Sequence, residues 1–102
     1  MSERTAPALS KLDEFAPIVR GLPHSADTAK LIQETEALRR AISSFHMEAI
    51  RFRMYNVELL LRQHGDQYPA VAHDAFAGIR QALEAAGFHT RSHAAPDVTP
   101  KG

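Results

Sequence analysis

"SFHMEAIRFRMYNVELLLRQHG", residues 44–65, is apolar on more sides than a surface helix needs. A helix packed on one neighbour shows a single apolar stripe at a 3.6-residue period. Here Phe45, Met47, Ile50, Phe52, Met54, Val57, Leu59, Leu60 and Leu61 point in several directions. At 100° per residue they resolve into two sets. Leu31, Leu38, Phe45, Phe52 and Leu59 recur every seven residues and, with Thr35, Ile42, Ala49 and Asn56 between them, trace one seam of coiled-coil type. Met47, Ile50, Met54, Val57 and Leu61 form a second stripe, which begins only at Met47 and lies roughly 150–170° around the helix from the first.

Working outward, neither proline nor glycine occurs between Pro23 and Gly65. Ser25 suits an N-cap, Asp27 suits the positive end of a helix, and Gly65 suits a left-handed stop. These signals predict one long helix from about Ala26 to His64, roughly 55–60 Å at 1.5 Å per residue. After "GDQYP", a shorter antiparallel helix is predicted from Pro69 to Gly87, with Ala72, Ala75, Phe76, Ile79, Ala82, Leu83 and Ala86 as its apolar face. Upstream, Leu9, Leu12, Phe15, Ile18, Val19 and Leu22 form a short helical segment, expected to break at Pro17. Residues 1–7 and the tail 89–102 read as disordered, leaving a single helical domain at 8–88. The fold class is therefore all-α.

A shorter helix folding back covers one stripe of a helix twice its length. The two large stripes together exceed what a soluble monomer normally exposes. A homodimer forming a helical bundle follows, with Phe45, Met47, Ile50, Phe52, Met54, Asn56, Val57 and Leu61 as the expected interface. Which stripe faces the C-terminal helix stays open. Asn56 in such a seam either fixes register or meets water at a bundle end.

Composition narrows the function. Twelve Lys and Arg balance twelve Asp and Glu, so no net field draws the chain to nucleic acid or anionic lipid. Arg40, Arg51 and Arg62 recur along one side, but acidic neighbours weaken their field. "EAAGFHTRSH" resembles, over ten residues, the recognition turn of arabinose-regulator-type helix-turn-helix domains; the recognition helix that should follow is replaced by "AAPDVTPKG". The chain has no cysteine, which excludes disulfides, thiolate metal sites and thiol catalysis. "MSERTAPALSK" lacks the basic start and apolar core of a signal peptide, and no window approaches a membrane span, so cytoplasm is the expected compartment.

Chemistry-bearing motifs are sparse. A Gly-rich phosphate loop, a nucleophile elbow and paired carboxylates on an apolar face are all missing, so the reading leans away from an enzyme. His46, Arg53 and His64 fall on one strip between the two stripes, continued by Arg39. There Arg53 would grip a carboxylate or phosphate while His46 exchanges a proton. The alternative for Arg53 is an ion pair with the next helix. Metal candidates are His64 with His73, across the turn, and His89 with His93, four apart; no cofactor is indicated. The expected function is association with other proteins, as a regulator, adaptor or chaperone-like subunit. The alternative is ligand or metal sensing by the His/Arg strip.

Overall fold

A computed structural model describes residues 4–63 and 65–88. Four α-helices account for most of them: α1 (Ala6–Arg20), α2 (Ala26–Ser43), α3 (Met47–Gln63) and α4 (Ala70–Ala85). A 3-10 turn, Gly65–Gln67, leads from α3 towards α4. The all-α class is as expected. The long central helix is not: it is replaced by an α2–α3 hairpin that turns at Ser44–His46.

The break has a defined chemistry. Phe45 N–H donates to the Ile42 carbonyl and His46 N–H to the Ala41 carbonyl, both at 3.1 Å, which is the paired closure of a Schellman stop. That closure requires a left-handed residue, and Phe45 supplies it with φ 60°. His46 then restarts the chain as the first residue of a new cap, its carbonyl accepting from Ile50 N–H at 2.9 Å. Nothing in "SSFH" resembles the glycine or asparagine that usually marks such a stop. The informative signal was the second stripe. An apolar stripe that begins halfway along and opposite the first marks a change of phase, with each helix burying its own face. Leu31, Thr35, Leu38 and Ile42 are buried on α2, and Ile50, Met54, Val57 and Leu61 on α3.

The other boundaries follow local chemistry. Ser25 caps α2 as expected: its Oγ accepts from Thr28 N–H at 3.1 Å, while Ser25 N–H donates to Thr28 Oγ1 at 2.9 Å. Helix α1 does not break at Pro17 but runs on to Arg20. Pro17 is exposed and near the helix end, so its missing donor removes one hydrogen bond from the last turns, while Phe15, Ala16 and Val19 stay buried around it. Gly65 does not close α3 in a left-handed conformation; among the described residues the positive-φ glycine is Gly87. At Gly87 the expected stop occurs, with Gly87 N–H on the Glu84 carbonyl and Phe88 N–H on the Leu83 carbonyl.

Helix α1 packs against both α4 and α2, and α2 packs against α3. Each contact is antiparallel. Arg39 of α2 meets Asp13 of α1, Phe15 of α1 meets Phe76 of α4 with ring centroids 5.9 Å apart, and Arg53 of α3 meets Glu34 of α2. Arg80 of α4 closes the ring to α3 through Glu58, at 2.6 Å. The core they enclose includes Leu12, Phe15, Leu31, Leu38, Ile42, Ile50, Met54, Ile79 and Leu83. None of the described helices is long and apolar enough to cross a membrane.

Candidate functional site

Folding α2 and α3 into a hairpin disperses the strip expected to hold His46, Arg53 and Arg39. Arg39 turns to α1 and pairs with Asp13. Arg53 turns to α2, where one guanidinium nitrogen lies 3.1 and 3.2 Å from the two Glu34 carboxylate oxygens. The ion pair with a neighbouring helix is therefore what Arg53 makes. His46 lies between the helices, exposed, and its Nδ1 accepts from Ala49 N–H at 3.2 Å. It is a side-chain cap on α3, a role that needs the Nδ1 lone pair. His64 lies outside the described residues.

Of the metal candidates, the described residues include His73. His73 Nε2 sits 3.3 Å from the Gly65 carbonyl oxygen, while His64, His89 and His93 lie outside the described residues. Among the described residues no group of three His, Cys, Asp or Glu side chains is placed to hold a metal ion.

Asn56 reaches across to α2. Its Nδ2 donates to Glu34 Oε1 at 3.1 Å, so Glu34, Arg53 and Asn56 form one polar cluster bridging α2 and α3. Beside it opens a cleft of about 400 Å³, with Lys30, Gln33 and Glu34 on the α2 side and Asn56, Leu59, Leu60 and Gln63 on the α3 side. The part played by Glu34 was not read from the sequence. The signal was its position: it lies beside the Leu31–Leu38 stripe, on the flank an adjacent helix would cover.

The apolar residues expected at an interface divide into two groups. Ile50, Met54, Val57 and Leu61 are filled in by the chain's own helices. Phe45, Met47 and Phe52 stay 43, 39 and 43% exposed. Phe45 stands at the hairpin turn against Phe88, edge to face at 5.1 Å, and the Arg4 guanidinium lies 5.3 Å from one ring centre and 5.5 Å from the other. Arg4 also donates to the Ala86 carbonyl, tying the start of the chain to the end of α4. Phe52 sits on α3 half a turn away from the buried Ile50–Leu61 stripe, with the Arg53 guanidinium 5.1 Å from its ring centre. On the same outer face are Tyr55 and Leu59, partly buried, and Glu48, Arg62 and Gln63, exposed.

Tyr68, just after the 3-10 turn, is buried, and its phenol is pushed above its ordinary range by burial and, secondarily, by the charge of Asp27 on the first turn of α2. That places it at the base of the hairpin, away from the exposed aromatic residues at the turn. Comparison with family models, curated proteins and solved structures finds no match to this chain.

Proposed function

We propose that this protein acts by association, using the outer face of α3 as its docking surface and a second copy of itself as the partner. The observation that carries this reading is the exposure of Phe52 at 43% on the outer face of α3, while Ile50, Met54, Val57 and Leu61 of the same helix are buried. Phe52 lies in line with Leu59, seven residues on, so the heptad seam read from the sequence survives on α3 as an outward stripe. Aromatic side chains anchor interfaces because each brings a large apolar area at little conformational cost. Sedimentation velocity over a range of concentrations tests it. The wild-type chain should move from monomer to dimer as concentration rises, and Phe52→Ser should remain monomeric with an unchanged helical spectrum.

A second reading, ligand sensing, is favoured by the α2–α3 cleft beside Glu34 and Asn56. The His/Arg strip does not support it, since Arg39 and Arg53 already hold carboxylates. In this reading, small amphiphilic fragments would shift the amide signals of Gln33, Leu60 and Gln63, and Glu34→Ala would alter those shifts. A library that leaves these signals still would remove it.

A further inference from the structure

We infer that the outer face of α3 is built to pair antiparallel with the same face of a second copy, in one register. The inference rests on the association reading above and adds its geometry. The face is α3's solvent side: about half a turn from Ile50, Met54, Val57 and Leu61 stand Glu48, Phe52 and Leu59, with Tyr55 and Arg62 on one flank, roughly 110–130° from the buried stripe. Its charges are arranged by end. Glu48 is in the first turn of α3 and Arg62 in the last.

A two-fold axis passing between the two α3 helices, level with the midpoint of Tyr55 and Asn56, matches each residue to the one whose number completes a sum of 111. Phe52 then meets Leu59 of the copy, which brings the two large apolar groups of the stripe into contact twice. Glu48 falls opposite the copy's Gln63 and within about 1.5 Å of axial offset from its Arg62, on the same side of the contact line. Two symmetric Glu48–Arg62 ion pairs therefore flank the apolar centre. A parallel arrangement would instead set Glu48 against Glu48 and Arg62 against Arg62. Antiparallel pairing also places the positive end of each helix beside the negative end of the other.

Among the described residues of one chain, Glu48 makes a long ion pair to Arg51, at 3.7 Å, with the Glu48 side chain 72% exposed. Such a pair is weakly held, so Glu48 is able to exchange Arg51 for the copy's Arg62 at small cost. Self-complementarity distinguishes a copy of this chain from an unrelated partner: the apolar and charged groups of one face match themselves under the two-fold.

Two single variants test the register. Glu48→Arg sets like charges together in its own dimer, and so does Arg62→Glu. Mixed one to one, the two restore both opposite-charge pairs. The expected result is that each variant alone self-associates at least tenfold more weakly than the wild type, that the mixture recovers most of the loss, and that the dissociation constant of each folded monomer is read by sedimentation equilibrium beside its circular dichroism. The chain lacks cysteine, so Tyr55→Cys gives a second reading: a short thiol cross-linker should join two copies across the axis in high yield. Wild-type dimers with both single variants associating as tightly as the wild type, and no Tyr55→Cys cross-link, would overturn the register while leaving association intact. A wild type that stays monomeric up to hundreds of micromolar would overturn the association reading itself and give this face to a different protein.

Discussion

Phe45 holds a left-handed backbone at φ 60°, a conformation that costs a residue with a β-carbon about 1–2 kcal/mol. Its ring recovers part of that cost against Phe88 and under Arg4. The two effects separate by substitution. Phe45→Ala keeps the backbone strain and loses the ring, and is expected to destabilise the fold by about 1–3 kcal/mol in urea titrations. Phe45→Gly loses the same ring without the strain, and should be about 1 kcal/mol more stable than Phe45→Ala. An alanine variant as stable as the glycine variant would show that the turn does not hold the left-handed geometry. This residue also marks the limit of what the sequence disclosed. A left-handed stop is legible at Gly87, where the residue type itself announces it, and illegible at Phe45, where tertiary contacts with residues 43 and 41 positions away in the chain sustain it.

At the scale of elements, the α2–α3 hairpin is held by a cap and a polar bridge. His46 presents a ring nitrogen to Ala49 N–H, so His46→Ala is expected to cost about 1 kcal/mol, and His46→Asn, which caps with an oxygen, much less. Equal losses in thermal melts would refute the capping role. Glu34 receives both Arg53 and Asn56, and because these groups are partly exposed the coupling is modest. A double-mutant cycle on Glu34→Gln and Arg53→Gln should return about 0.5–1 kcal/mol, falling as salt rises. The sequence exposed the capping of α2 because Ser25 is a familiar first residue. It concealed the bridge because Glu34 and Arg53 are nineteen residues apart, and only the reversal at Phe45 brings them together. Arg80 and Glu58, twenty-two residues apart, are likewise brought together only by the fold.

For the whole molecule, the buried Tyr68 ties stability to alkaline pH. Burial and the Asp27 charge disfavour the phenolate, so the folded state holds this proton more tightly than the unfolded chain does. Its contribution is fully present below pH 10.0, the ordinary tyrosine value, and is lost as pH rises through the higher folded value. The urea midpoint should therefore fall above that pH in the wild type and fall less steeply in Tyr68→Phe. Parallel slopes would assign the alkaline loss to other groups. The all-α class, the helix ending at Gly87 and the start of α2 were legible in periodicity and capping residues. The path of the chain was not, because two apolar stripes on one segment fit either a long helix shared between copies or a hairpin closing on itself. The hairpin buries one stripe internally and leaves Phe52 and Leu59 along the other, so the case for a partner now rests on α3's outer face rather than on both. The most direct test is a concentration series of amide spectra by nuclear magnetic resonance. Shifts that grow with concentration are expected at Glu48, Phe52, Tyr55, Leu59 and Arg62, while Ile50, Met54 and Val57 change little. Spectra that do not change with concentration, or changes centred on α1 or α4, would contradict association through α3's outer face.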